Sequence, residues 1–175
     1  EGFPIKDLER ILKSMRDTCE EAGVKVITGD TKVVERGSLG GCIINTSGIG
    51  RRTEELEHNI KVVRRYREFK ERWILDSNLK PGDKIILSGT IGDHGMAILS
   101  SREGYGFGSR IVSDVRPLNK MVKRILRVGG IVSMKDPTRG GLSNALNEWS
   151  RKSGVGILIH EAVSYTHLRA HETRH

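Results

Sequence analysis

Aromatic residues, cysteines and long apolar runs are all scarce in this 175-residue chain, and each shortage excludes something. Aromatics are 5% of the sequence, too few for a surface on which bases stack. A formal charge of +8 would otherwise point to nucleic acid. The basic residues are also unevenly spread, so nucleic acid is not the expected partner. The two cysteines, Cys19 and Cys42, have no metal-type spacing. Both lie in apolar patterns, so buried free thiols in a reducing cytosol are expected. No apolar run reaches the roughly 18 residues of a membrane span, and no signal peptide is visible. The expectation is a cytoplasmic protein without a membrane partner. No Walker loop is present, and no G-x-G-x-x-G joins a strand to a helix. Gly104, Gly106 and Gly108 come near one, but no strand precedes them. There is no internal repeat.

What is present is glycine, 21 residues gathered in short turns, with 36% hydrophobic and 30% charged residues. One domain or two small ones fit this length, with a sizeable core. Ile5, Leu8, Ile11, Leu12, Met15, Cys19 and Ala22 form a helical stripe that Gly23 stops. Residues 24–27 and 42–46 have strand composition. Residues 53–72 carry Leu56, Ile60, Val63, Tyr66 and Phe69 at near-helical spacing, which predicts a connecting helix with one buried stripe. Residues 51–73 hold eight basic against five acidic residues, read as a solvated face. Pro81-Gly82-Asp83 turns into a strand. Residues 96–101 and 117–128 are helical, 131–135 a strand, 142–152 a helix and 155–159 a strand. Strands alternating with helices predict an α/β or α+β class. The chain starts at Glu1 in mid-pattern and reads as a fragment. Residues 163–175 lack any period, resemble translated cloning-adaptor sequence and are expected to be a non-native tail, although His167 and His171 at i, i+4 would suit a metal.

Three turns share one design, in which a short apolar run meets a glycine-bearing polar turn. They are T-G-D-T-K (28–32), S-G-T-I-G-D-H-G (88–95) and D-P-T-R-G-G-L (136–142). Glycine lets backbone approach a ligand, Pro suits a first helical turn, and a helix N-terminus favours an anion. A capped helix start would give the third string equally well. Together the three suggest a phosphate-rich ligand. Asp30, Thr31 and Lys32 suit phosphate and Mg²⁺, since Mg²⁺ takes one or two carboxylates plus phosphate oxygens and Lys is a point charge on phosphate. Asp136 could hold a cation beside the phosphates. His94, next to Asp93, has a pKa range suited to acid–base work. Glu161, at a strand end, could be a base.

The ordered set G-D-T-K-V-V (29–34), N-T-S-G-I-G (45–50), P-G-D-K-I-I-L-S-G-T-I-G-D-H-G-M-A-I-L (81–99), S-D-V-R-P-L (113–118) and D-P-T-R-G-G-L-S-N-A-L-N-E (136–148) resembles the HypE family of hydrogenase maturation proteins. That family lies in the superfamily of aminoimidazole ribonucleotide synthetase (PurM) and selenophosphate synthetase. The resemblance covers roughly residues 5–162. It implies a PurM-like two-domain α/β protein that dimerises through its N-terminal domains and binds ATP with Mg²⁺ between domains. It also implies an ATP-dependent carbamoyl dehydratase that turns a C-terminal cysteine thiocarboxamide into a thiocyanate for nickel–iron hydrogenase. Carbamoyltransferase and iron-scaffold proteins would be partners. By this resemblance residues 1–50 are the end of the N-terminal domain, 51–76 a helical connector and 77–162 a truncated C-terminal domain. Gly29, Asp30, Thr31, Lys32, Asp93, Asp136, Thr138, Gly140 and Gly141 would face ATP and its phosphates, with Asp30 and Asp136 on the metal. Lys32, His94 and Glu161 are the implied catalytic residues, Lys32 and Glu161 for removing protons from the thiocarboxamide nitrogen. The family's acidic Gly-rich N-terminal segment and its terminal cysteine tail are missing here. Cys19 and Cys42 do not replace that cysteine, and the chain is expected to be inactive alone. A PurM-like nucleotide-binding scaffold, or another superfamily member, is the alternative.

Overall fold

The structure is a computed structural model that describes residues 1–104 and 112–160. The regular elements among the described residues are helical: α1 (Ile5–Ala22), α2 (Glu54–Tyr66), a 3-10 turn (Asp76–Asn78), α3 (Asp93–Glu103), α4 (Asn119–Val128) and α5 (Gly141–Ser153).

Local signals alone build α1. Its apolar stripe matches the expected one, and Gly23 ends it at φ 68°. The Gly23 N–H donates to Glu20 O at 3.1 Å and the Val24 N–H to Cys19 O at 3.0 Å, the paired bonds of a Schellman cap. No α1 residue is buried. Asn119 reaches it, donating from Nδ2 to Ala22 O at 2.6 Å.

The core forms around α2. Thr53 caps it by accepting the Leu56 N–H at 3.4 Å. Glu54, Glu55 and Glu57 sit in its first turn and Arg64 and Arg65 in its last, matching the helix dipole. Leu56, Ile60, Val63, Phe69 and Leu126 are buried together, with Val122 of α4 and Ile131, Val132 and Met134 packed against them. Ile60 is 1% exposed, and full burial of such a side chain stabilises by about 1.5–3 kcal/mol. Gly129 crosses α2 closely: at φ +86°, a Cβ there would lie 2.6 Å from Val62 Cγ2.

Asn59 fastens the run 131–135 to this helix. It is fully buried. Its Nδ2 donates to Ile131 O at 2.7 Å, and its Oδ1 accepts the Ile131 N–H at 2.8 Å. The side-chain amide thus satisfies one residue's backbone as a neighbouring strand would.

The helix expected over 53–72 stops at Tyr66. Arg67 adopts an extended conformation, φ −157° and ψ 160°. Its guanidinium donates to Asp83 at 2.9 and 3.1 Å and to Asn78 O at 2.9 Å. Arg64 Nε donates to Phe69 O at 3.0 Å, so the chain folds back and delivers Phe69 to the core. Tyr66, expected in the buried stripe, is 83% exposed. Most basic residues of 51–73 are exposed, as a solvated face requires, and only Arg52 and Arg67 turn partly inward. Arg52 pairs with Glu57, donates to Arg72 O and lies 5.0 Å over the Trp73 ring.

No strand forms among the described residues, although the sequence pattern predicts five. To become a strand, an extended run must pair its backbone N–H and C=O groups with a neighbour, and among the described residues the runs at 24–27, 42–46, 84–88 and 155–159 have no paired neighbour. Their side chains remain in solvent: Ile27 is 94% exposed, Ile86 81% and Leu158 79%. Cys19 is half-buried but Cys42 is exposed, against the expectation of two buried thiols. Cys42 lies in one of the unpaired runs.

Candidate functional site

Residues 136–140 turn between the fastened run 131–135 and α5. Gly140 (φ 74°) is the N-cap of α5 and Gly141 (φ 61°) its first residue, left-handed positions that favour glycine. At Gly140 space is short too, since a Cβ would lie 2.8 Å from Asn144 Cβ. The Thr138 N–H donates to Asp136 O at 3.0 Å and the Gly141 N–H to Thr138 O at 3.3 Å, which closes the turn. The expected helix start at 142 is thus met within one residue.

A cavity of about 200 Å³ opens here, lined by Lys135, Asp136, Pro137, Thr138, Arg139, Asn144, Ala145 and Glu148. Its lining is mostly polar, and the N-terminus of α5 adds a partial positive charge. Arg139 has no carboxylate partner among the described residues. Such a place can hold an anion such as a phosphate. Among the described residues no three His, Cys, Asp or Glu side chains group to hold a metal. A Mg²⁺ ion here would rest on phosphate oxygens with few carboxylates, its usual habit. Asp136, exposed and on the cavity wall, fits that role.

A charged network underlies the turn. Lys135 Nζ lies 2.5 Å from Glu148 Oε2 and 2.9 Å from Asp76 Oδ2. Lys152 Nζ lies 2.7 Å from the same Asp76 oxygen, and Trp149 Nε1 donates to Asp76 Oδ1 at 3.1 Å. Asn144 Nδ2 donates to Glu148 Oε1 at 3.0 Å and to Arg139 O at 3.1 Å. Glu148 and then Asp76 hold the Lys135 ammonium above the ordinary lysine range. Lys135 and then Asn144 hold Glu148 below the carboxylate range. Burial pushes Asp76 up, but hydrogen bonds from Lys152 and Lys135 outweigh it and leave it low. Lys135 is thus a committed structural cation, and Arg139 is the cation open to a ligand.

The other predicted site residues stand apart from this cavity. Gly29, Asp30, Thr31 and Lys32 are exposed, and Asp30 Oδ1 accepts the Thr31 N–H at 2.7 Å. None of them lines the cavity, nor do Asp93 and His94. Asp93 opens α3 and accepts from Thr90 Oγ1. His94 Nδ1 is 2.9 Å from Ser113 Oγ, which also accepts the Val115 N–H at 3.2 Å. Glu161 lies outside the described residues. Asp136, Thr138 and the Gly140–Gly141 hinge therefore come together, while the 28–32 and 88–95 turns do not join them. Sequence reasoning missed Lys135, Arg139, Asn144, Glu148 and Asp76. Arg139 could have been found, since it lies inside the motif. Asp76 could not, because its partners are 59 to 76 residues away.

The turn thus sets an acid, a hydroxyl and a base on the wall of a polar cavity at the start of a helix. Residues 80–173 match the model of the AIR synthase related protein, C-terminal domain, and residues 2–52 match that of its N-terminal domain. The chain belongs to the AIR synthase related family. It is 48% identical over 162 residues to a hydrogenase expression/formation protein of Methanocaldococcus jannaschii, covering 92% of this chain and 43% of that protein. The carbamoyl dehydratase HypE of Azotobacter vinelandii is 46% identical with the same coverage. That of Escherichia coli is 35% identical, over 93% of this chain and 44% of its own length. The chain thus spans less than half the length of these curated relatives. No solved structure matches it. No described helix is long and apolar enough to cross a membrane.

Proposed function

We propose that this chain is part of an ATP-dependent carbamoyl dehydratase of the HypE type. The turn 136–141 over its polar cavity carries the reading, and the names of relatives at 42–46% identity give the reaction class. The reaction would convert a C-terminal cysteine thiocarboxamide to a thiocyanate, the source of cyanide for nickel–iron hydrogenase. Bound ATP, with Mg²⁺, supplies the phosphoryl group that makes the amide oxygen a leaving group.

The chain's own residues then have distinct tasks. The α5 N-terminus, Thr138 and Arg139 bind phosphate oxygens, and Asp136 takes the metal-facing position. Gly140 and Gly141 keep the backbone close to the ligand. Asp30, Thr31 and Lys32, with Gly29, form a second phosphate-facing wall, to which the 88–95 turn adds Asp93. Lys32 and Glu161 are the groups for moving protons off the thiocarboxamide nitrogen, and His94 is a further acid–base group. The whole protein would have the PurM-like α/β two-domain architecture, with residues 1–50 in the N-terminal domain, 51–76 connecting and 77–162 in the C-terminal domain. In that setting the extended runs find neighbours and pair as strands. The protein would be a cytoplasmic homodimer working with carbamoyltransferase and iron-scaffold partners.

The test is a chimera in which residues 5–162 replace the aligned segment of the Escherichia coli carbamoyl dehydratase. ATP-dependent loss of one water from the thiocarboxamide, followed by mass spectrometry, is expected. A folded chimera that binds ATP without dehydration would reduce the chain to a nucleotide-binding scaffold.

A further inference from the structure

Asp76 lies beneath the turn and outside the cavity lining. It belongs to the segment between the two family-model matches, yet both its carboxylate oxygens are engaged under the cavity. Oδ1 accepts from Trp149, and Oδ2 meets Lys135 and Lys152. Lys135 immediately precedes Asp136, and Trp149 and Lys152 lie on α5. One carboxylate therefore joins the arm that enters the turn to the helix that leaves it.

Asp76 is itself held in place. Asn78, two residues on and buried, donates from Nδ2 to Val132 O at 3.1 Å and to Trp73 O at 2.9 Å. Arg67 donates to Asn78 O at 2.9 Å. The 3-10 turn is thus pinned to the run 131–135 at two points, Val132 and Lys135. The Asp76 side chain keeps only 16% of its surface exposed, so water competes weakly for these bonds.

We propose that Asp76 is a positioning residue, which sets the angle between the run 131–135 and α5 and so fixes the phosphate-binding turn 136–141. This rests on the phosphate reading of that turn given above. Functional turns must be held to within about 0.5 Å, and side chains behind the site do this holding. Asp76 does not line the cavity. It acts through Lys135, Trp149 and Lys152.

The test uses the whole 175-residue chain as wild type, Asp76→Asn, Asp76→Glu and Trp149→Phe. Two quantities are read: residue-resolved amide hydrogen exchange, and affinity for Mg·ATP by calorimetry. In Asp76→Asn the Gly141 and Asn144 amides should exchange about tenfold faster, while those of Ile60 and Val63 stay unchanged. Mg·ATP affinity should fall about tenfold. Asp76→Glu, which keeps the charge, should recover most of both. Trp149→Phe removes the Nε1 donor and keeps a smaller aromatic ring, so it should show the same pattern at about twofold. This milder variant serves if Asp76→Asn does not fold.

Unchanged exchange in the turn would overturn the inference whatever the ATP result. Equal loss of protection across α2 and α4 would also overturn it, by showing a purely global role. A loosened turn with unchanged ATP affinity would detach Asp76 from the site. A wild-type chain that binds no Mg·ATP would remove the phosphate reading, and exchange alone would then decide whether Asp76 positions the turn.

Discussion

Ile27 and Ile60 are the same residue in two regions with opposite fates. Ile27 is 94% exposed and Ile60 is 1% exposed. Residues 1–52 bury no apolar side chain, whereas residues 53–160 build a core from Leu56, Ile60, Val63, Phe69 and Leu126. The first region is nearly as rich in apolar residues. It has α1 with a clean stripe and runs holding Val24, Val26, Ile43 and Ile44, all exposed. It lacks an opposing face among the described residues. The second region supplies its own, because α4 and the run 131–135 return to α2. A helix satisfies its backbone internally and can form with one face open, as α1 does. An extended run cannot, and it becomes a strand only beside another.

The largest effect separating the regions should come from their isoleucines. Ile60→Ala should cost about 2–5 kcal/mol in urea unfolding. Ile27→Ser should stay within about 0.5 kcal/mol. A large cost at Ile27 would show that residues 1–52 have a core after all. Asn59→Ala comes next. It strands the Ile131 N–H and C=O in the interior and should cost about 2–3 kcal/mol in the same measurement. Gly129→Ala should cost about 1–2 kcal/mol, since the new Cβ meets Val62 at a positive φ. Gly37→Ala, at φ 86° but with open space around it, should be milder by comparison of melting temperatures.

Acid gives a smaller and graded effect. Glu55, at the start of α2, is held at about 2, first by hydrogen bonding to its own backbone and then by Lys123. Its folded-state value lies below the ordinary 4.5, so its contribution is present above that value. It is lost as pH falls from 4.5 toward about 2. Thermal melts across that range should show a decline that Glu55→Gln flattens. The smallest effect belongs to α1. Breaking the exposed Asp7–Arg10 pair, 3.2 Å apart, should change stability by less than about 0.5 kcal/mol.

The same comparison explains what was legible in the sequence. Helices α1, α4 and α5 were readable because periodicity, Pro and Gly signals are local, and Gly23 ends α1 where expected. The end of α2 was not, because Arg67 leaves the helix to reach Asp83 and Asn78, a tertiary choice. The strands are not formed among the described residues, because composition records a preference for extension while a ladder needs a partner that no single run encodes. In the turn, Asp136, Thr138, Gly140 and Gly141 are neighbours because one short string holds them, and Asp136 and Thr138 line the cavity. Asp76 was hidden because a lone acid in a connector carries no pattern, and only folding brings Lys135, Trp149 and Lys152 to it.

The central claim is that the turn 136–141 is a wall of a nucleotide-phosphate site. Titrating Mg·ATP into the ¹⁵N-labelled chain tests it most directly. The account predicts saturable shifts centred on the amides of Thr138, Arg139, Gly140 and Gly141, with those of α2 unmoved. A folded chain whose shifts fall elsewhere, or do not occur, would contradict it.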